Sequence, residues 1–286
     1  MTGSEGHVRC RTIVLTGASD GIGAAAARLL SGQGHRLLLV GRSPEKIAAV
    51  ADETGAEPFV ADFASLAEVR ELAARLRDAA DDDGIDVLAN NAGGIFGDPR
   101  PTVDGFEKTF QVNHLAPFLL TNLLLPGLLQ RDGSVVNTSS AAHRFFGRLE
   151  LEELGAVRHV SARRDYGDAK LATVLFTRSL HRRFHHDGLS AVAFHPGIVR
   201  TSFSAGSRSG MRMIYHSAVG RMLPMISAAQ GGANLAWLLA GTPGVTWTSG
   251  RYYDRYRPTA RVHPQADDLR LADALWHRSA ELAGLT

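Results

Sequence analysis

The stretch "RTIVLTGASDGIG", residues 11–23, decides the fold. An apolar, β-branched run ends at Thr16, glycines follow at 17, 21 and 23, and an alanine-rich helix-former begins directly behind them. A strand buried on both faces reads this way. Glycines at such a junction let the backbone turn tightly and approach a phosphate, which then faces the N–H groups and positive dipole end of the following helix. The spacing is not the familiar G-x-G-x-x-G, and a lone glycine-rich turn is weak evidence. Its place at the first strand of an alternating chain makes it a dinucleotide site.

The alternation continues outward from there. "HRLLLVG" (35–41) is a second strand, and "SPEKIAAVADETG" (43–55) a helix with Ser43 as N-cap and Pro44 at its first position. "EPFVADF" (57–63) is a third strand. "SLAEVRELAARLRDAA" (65–80) is a helix in which Glu68 completes a capping box from Ser65. "IDVLANNAG" (85–93) is a fourth strand, a long helical region runs from about Asp104 to Gln130, and "GSVVNTSS" (133–140) is a fifth strand. A helix carrying Tyr166 follows, then a sixth strand, "LSAVAFHPG" (189–197). Helix "SAAQGGANLAWLLAG" (227–241), short strand "GRYYDRY" (250–256) and amphipathic helix "QADDLRLADALWHRSAEL" (265–282) close the chain. Repeated strand–helix units imply right-handed crossovers and a doubly wound parallel sheet with helices on both faces. With no repeat and no linker, residues 1–286 read as a single α/β Rossmann-type domain. Residues 1–10 form a flexible start, and 141–165 and 201–226 are substrate-side loops.

Composition narrows the function classes. A net charge of +2 gives no argument for nucleic acid or an anionic membrane. The single Cys10 excludes an intramolecular disulfide and any multi-cysteine metal site, and suits the cytoplasm. "MTGSEGHVRCR" has no apolar stretch behind its charges and is not a signal peptide. The most apolar window, "LAPFLLTNLLLPGLL" (115–129), is shorter than the ~20 residues of a membrane span and reads as a buried or subunit-interface helix. His181, His185 and His186 have a possible i,i+4 metal spacing but no carboxylate partner, so no metal site is assigned. The Met-containing stretch from Gly210 to Met225 reads as a flexible lid over an apolar pocket in preference to a partner surface. His143 either touches substrate or serves packing.

At the chemical motifs the chain resembles the short-chain dehydrogenases/reductases. The resemblance rests on "TGASDGIG", "NNAG" (90–93), Asn113 in "QVNHLAPF", Ser140 in "VVNTSS" and "YGDAK" (166–170), in that order over nearly the whole chain. "DGFEKTFQVNHLAPFLLTNLLLP", "SVVNTSSAAH", "KLATVLFTRSL" and "HPGIVRT" look like its retinol-dehydrogenase-like branch. The resemblance implies hydride transfer between nicotinamide and a carbonyl or alcohol, with Asn113, Ser140, Tyr166 and Lys170 as the catalytic set. An epimerase or dehydratase on the same scaffold is the alternative enzyme, and a non-catalytic NAD(P) sensor the alternative outside enzymes.

Residues four apart share a helix face, so Tyr166 and Lys170 meet. A phenol near its ordinary pKa of ~10 exchanges its proton poorly at neutral pH. An ammonium about 4 Å away favours the phenolate by up to ~4 kcal/mol at an effective dielectric of 20. Tyr166 is therefore the acid/base and Lys170 tunes it, while Ser140 donates to the substrate oxygen. By resemblance, Lys170 also binds the nicotinamide ribose, and Asn113 holds a water that connects Lys170 to solvent. The resemblance implies coenzyme contacts at the first turn from Gly17, Ser19, Asp20, Gly21, Ile22 and Gly23. Further along it implies Arg42, Asp62 and Phe63, then Asn90, Ala92 and Gly93, and finally Pro196, Gly197, Val199 and Thr201. NAD-preferring members end the second strand in an acid; here Gly41 holds that place and Arg42 follows. The expectation is NADPH over NADH, with Asp20 pulling the other way unless it caps the helix or pairs with Arg42. The twenty-six positions from Ser140 to Tyr166 include an insertion expected to loop at the mouth of the site. The apolar face of 115–129 and the helix after Tyr166 suggest a homodimer or homotetramer.

Overall fold

The strands lie side by side in the order that short parallel crossovers dictate. A computed structural model describes residues 10–96, 100–157, 161–199 and 225–285. Its main sheet contains β1 (Thr12–Thr16), β2 (Arg36–Gly41), β3 (Glu57–Val60), β4 (Val87–Asn90), β5 (Ser134–Thr138), β6 (Ser190–His195), β9 (Tyr252–Asp254) and β10 (Arg257–Pro258). They are ordered β3-β2-β1-β4-β5-β6-β9-β10, and every pairing is parallel except β9 with β10. The strand order reverses direction between β1 and β4, which opens a crevice at the carboxyl ends of these strands. A separate parallel pair joins β7 (Ile198–Val199) to β8 (Met225–Ile226).

Alternating strand residues feed two cores, as the two-residue period of a strand requires. Ile13, Leu15, Leu37 and Leu39 face α1 (Gly21–Ser31), α2 (Pro44–Thr54) and α7 (Ala228–Ala240). Val14, Leu38, Leu88 and Val135 face α3 (Leu66–Ala80), α4 (Lys108–Gln130), α6 (Ala162–Phe184) and α8 (Leu269–Leu282). Each fully buried Leu or Ile contributes roughly 1.5–3 kcal/mol.

Helix ends follow the local sequence. Ser43 caps α2 by accepting from Lys46 N, with Pro44 in the first turn. Ser65 caps α3 by accepting from Glu68 N, but Glu68 does not complete the capping box. Its carboxylate instead accepts from Asp62 N at 2.8 Å, which braces the turn after β3 rather than the cap.

The apolar window is longer in the structure than in the sequence reading. The helix runs 23 residues from Lys108 to Gln130, so by length and composition it could cross a membrane. Yet 72% of its apolar window is buried inside the fold, where it packs as a core helix. Part of the face expected to meet a second subunit is covered within the chain, while Leu123, Leu125 and Leu129 stay only partly buried. Trp276 of α8 packs on Phe118 of α4 (5.0 Å) and on Phe176 and Phe184 of α6 (5.8 and 5.9 Å).

The insertion after Ser140 is not an open loop. It forms α5 (Ala142–Phe146) and a 3₁₀ turn (Leu151–Glu153), and buries Leu149 and Leu154 in the α4/α6 core. Of the lid reading for 210–225 only Met225, in β8, is among the described residues; the rest, and Thr201, lie outside them.

Candidate active site

The site begins where β1 stops. Thr16 is wholly buried, and its hydroxyl donates to Ala89 O (2.9 Å) while accepting from Asn91 N and Ala92 N (3.0 Å each). Asn91 Nδ2 donates to Thr16 O and Gly17 O, and Asn91 Oδ1 accepts from Thr138 Oγ1. One hydroxyl and one amide thus lock the ends of β1, β4 and β5 together. Neither Thr16 nor Asn91 was singled out by sequence reading, although both stand inside the quoted motifs.

The first turn has no room for side chains. Gly17 has φ +67°, and a Cβ there would lie 2.8 Å from Ala92 Cα. A Cβ on Gly23 would lie 2.1 Å from Gly17 O, so the helix starts against its own turn. Gly21 has φ +56° and opens α1. Ser19 approaches Gly41, where a Cβ would lie 3.0 Å from Ser19 Cβ and 3.1 Å from Ile47 Cδ1. Ile22, half-buried, packs on the α1 core.

Asp20 caps α1, its carboxylate accepting from Gly21 N at 2.6 Å. Lys46 Nζ stands 3.8 Å from that carboxylate, so a lysine on α2 partners it where Arg42 was one expectation. Arg42 itself is exposed just beyond β2 and makes no ion pair among the described residues.

Asp62 and Phe63 lie in the turn after β3. Asp62 Oδ1 accepts from Ala64 N, and Phe63 is buried with its carbonyl accepting from Gln111 Nε2. The side chain of Asn90 is committed inside the fold. It is buried, and its Nδ2 donates to Thr121 Oγ1 (3.0 Å) and Asn137 Oδ1 (2.9 Å), tying β4 to α4 and β5. Its Oδ1 is buried and without a partner among the described residues, and its main chain remains to meet a ligand. Pro196 is held by Asn234 Nδ2, which donates to its carbonyl (2.8 Å), and Gly197 has φ +105° against Ile226. Val199 follows in β7.

Asn113, Lys170 and Tyr166 converge beside Gly93. A Cβ on Gly93 would lie 2.4 Å from Asn113 Oδ1 and 3.3 Å from Lys170 Nζ. Asn113 sits in a π-helical turn, Gln111–Leu115, closed by Ala116 N donating to Gln111 O. Both hydrogens of its carboxamide are used, Nδ2 donating to Gly94 O (2.8 Å) and Thr109 O (2.7 Å), and Oδ1 accepts from Gly94 N (3.1 Å). Such turns interrupt α-helices mostly at functional positions.

Lys170 is 3% exposed, and Nζ donates to Thr138 O at 2.9 Å. Burial pushes its ammonium from 10.5 down to about 7. Nζ lies 5.5 Å from the centre of the half-buried Tyr166 ring. Taking the ring centre as reference, the coupling is about 3 kcal/mol at an effective dielectric of 20, below the ~4 expected at 4 Å. Burial that makes the ammonium costly also keeps water from screening its pull on the phenol.

The serine pair divides its work. Ser139 is 2% exposed and donates to Lys170 O (2.9 Å), whereas Ser140 is half-exposed and its Oγ accepts from Ala142 N (3.2 Å), leaving its proton unspent. His143 is buried and serves packing. It stands edge-on to Tyr252 (4.9 Å), and Nδ1 lies 2.5 Å from Ser140 O, a carbonyl that can only accept. Burial, foremost, holds its imidazolium down at about 4. Tyr252, unnoticed in the sequence, lines the same region, and burial, then Asp254 and Tyr166, pushes its phenol well above the usual range.

The surface histidines are engaged one by one: His181 with Ser249 Oγ, His185 with Leu189 O, His186 with Asp187. Among the described residues no group of three His, Cys, Asp or Glu could hold a metal.

Comparison with known proteins extends the resemblance. The family model described as short chain dehydrogenase matches residues 11–212. A Streptomyces sp. (strain C5) protein that carries the provisional name daunorubicin C-13 ketoreductase DnrU is 42% identical, over 99% of this chain and 96% of its own. Human retinol dehydrogenase 13 is 34% identical, over 99% of this chain and 87% of its own. A solved structure from Beutenbergia cavernae, provisionally titled an NAD(P)-dependent gluconate 5-dehydrogenase with NADP at low occupancy, superposes with a TM-score of 0.67. Its identity is 25%, over 85% of this chain and 94% of that one. With a sheet of this order and these motifs at its carboxyl ends, the chain belongs to the short-chain dehydrogenase/reductase family of oxidoreductases, in its retinol-dehydrogenase-like branch.

Proposed function

We propose that the protein is an NADPH-dependent reductase of a lipophilic ketone or aldehyde, with Tyr166 as acid/base. The observation that carries the reading is the convergence at Gly93: one missing Cβ leaves Asn113 Oδ1 and Lys170 Nζ side by side, with the Tyr166 ring 5.5 Å from that Nζ.

The residues present fit a dinucleotide. The turn at Gly17, Gly21 and Gly23 presents main chain rather than side chains, at the N-terminus of α1. Ser19 and Ile22 flank that turn, and the main chain of Asn90, Ala92 and Gly93 would hold the next portion. Pro196, Gly197, Val199 and Thr201 would complete the nicotinamide side. Arg42, exposed and without an ion pair among the described residues, would hold a 2′-phosphate through paired, charge-assisted hydrogen bonds. An acid at position 41 would crowd Ser19 and Ile47, which favours NADPH over NADH. Lys46 offsets the charge of Asp20 nearby.

When bound, the nicotinamide supplies the hydride. The chain's own residues manage the proton. Ser140 Oγ donates to the substrate oxygen and stabilises the developing alkoxide. Tyr166 Oη donates its proton to that oxygen, and the Lys170 ammonium favours the phenolate left behind. Asn113 contributes through its main chain, because both hydrogens of its carboxamide are already used. Pro117, four residues on, has no N–H to give the Asn113 carbonyl the usual helical bond, which leaves that oxygen suited to a water beside Lys170.

The lipophilic substrate class rests on two supports. Phe145 and Phe146, 67% and 44% exposed, stand on α5 just beyond Ser140, and Phe146 abuts Gly167 next to Tyr166. Relatives named for retinol and daunorubicin point the same way. A panel of ketones, aldehydes and secondary alcohols, read by the absorbance of NADPH and NADH, tests the reading. Turnover of an apolar carbonyl with NADPH preferred is the expected result. No turnover of any member with either coenzyme, or preference for NADH, overturns it.

A further inference from the structure

Strand β6 links two different places. Its carboxyl end, His195, leads into Pro196 at the candidate active site, whereas its first residue, Ser190, lines a cleft of about 380 Å³ on the far edge of the sheet. Five residues of rise separate the two by about 16 Å. The cleft is lined by His181, His185, Ser190, Thr248, Ser249 and Arg251, with Pro243 and Gly244 at its rim. Among the described residues no carboxylate lines it.

Its charges are arranged against one another. The His181 and His185 rings lie 4.5 Å apart, and Arg251 is exposed with no ion pair among the described residues. Neighbouring cations are otherwise neutralised: Arg182 and Arg183 by Asp273, and His186 by Asp187. Burial, then His185 and Arg251, opposes a proton on His181, and no carboxylate counters them.

Hydrogen bonds hold both rings. Leu189 O can only accept, so His185 carries its proton on Nδ1 (3.0 Å) and keeps Nε2 free to take a second. Ser249 Oγ accepts from Ala191 N (3.0 Å) and stands within hydrogen-bond reach of both His181 Nδ1 (2.9 Å) and Ala191 O (3.5 Å), which fixes the His181 ring in place. The planar Arg251 guanidinium fork and the Thr248 hydroxyl are donors suited to an oxyanion, beside the paired imidazoles. The volume matches a small molecule rather than a bare ion.

From this juxtaposition we infer that the cleft between α6 and the 243–251 segment is a second ligand site, for a small polar molecule bearing a phosphate or carboxylate group. The test follows the histidine ring signals by NMR at about pH 6.5, assigned with His181→Gln and His185→Gln. Inorganic phosphate is added to about 10 mM at constant ionic strength, with chloride as control. Both signals should move together under phosphate and not under chloride. Arg251→Ala should weaken that apparent affinity at least about tenfold, whereas Arg42→Ala, on the opposite side of the fold, should leave it unchanged. Signals that stay still, that follow chloride equally, or that titrate identically in Arg251→Ala overturn the site.

Discussion

Adding one methyl group at Gly93 should disable the site while the sheet stays intact. The new Cβ would stand 2.4 Å from Asn113 Oδ1, and ordinary contact begins about 1 Å farther out. The carboxamide cannot slide aside freely, since Nδ2 is held by two carbonyls at 2.8 and 2.7 Å. The bond most exposed to loss is Gly94 N to Asn113 Oδ1, and an unsatisfied buried N–H costs about 1–3 kcal/mol. The Cβ also presses on Lys170 Nζ at 3.3 Å, so the ammonium is shifted relative to Tyr166. A displacement of about 1 Å among reacting groups can cost ~100-fold in rate. Gly93→Ala should therefore remain folded, lose about 1–3 kcal/mol in urea unfolding, and turn over about 100-fold more slowly. The assay is carbonyl reduction followed by NADPH absorbance under saturating substrate. Turnover within threefold of the parent, in a protein shown to carry the substitution, would refute the placement of Asn113 and Lys170 in one proton path.

Tyr166→Phe should keep coenzyme affinity, measured by NADPH fluorescence, and lower turnover by at least the ~100-fold of a lost general acid. Ser140→Ala should lower turnover by about 100-fold or more through loss of an oxyanion donor, whereas Ser139→Ala should mainly cost about 1 kcal/mol of stability, because it bonds Lys170 O. Arg42→Ala should lose roughly 10- to 150-fold in NADPH efficiency and little with NADH; equal losses would remove Arg42 from coenzyme choice. Lys170 has a folded value of about 7 and an unfolded one of 10.5, so between these pH values the unfolded chain binds more protons and stability rises with pH. Lys170→Met should abolish that rise and leave the unliganded protein at least as stable as the parent below pH 7, as denaturant midpoints across the range will show.

Local chemistry was legible in the sequence, and long-range chemistry was not. The strand–turn–helix at 11–23 could be read because glycine conformation and strand burial are decided within a dozen residues. The Tyr166–Lys170 pairing needed the other motifs as well, because helix spacing alone fits an unrelated surface pair equally. The choice between Ser139 and Ser140 came from resemblance; what divides them physically is the Lys170 carbonyl, thirty-one positions away. The commitment of the Asn90 amide was hidden for the same reason, because Thr121 and Asn137 claim it from other elements. Glu68 reached Asp62 instead of Ser65, a contest between two nearby N–H groups that spacing cannot settle. Within the apolar 115–129 segment, Phe118 is covered by Trp276, some 150 positions later, a contact the segment itself cannot reveal.

The π-helical turn at 111–115 has a consequence for how this site can be lost. An ordinary helix advances 100° per residue, so removing one residue between Glu107 and Ala116 would let the long helix close without interruption. Every apolar side chain from Ala116 to Gln130 could keep its seat in the core, while the preceding segment turned by about 100° and took Asn113 out from beneath Gly93. The position of that asparagine is written in a residue count. A relative could keep all the signature motifs and a stable sheet, lose one residue here, and bind its coenzyme without a working proton path.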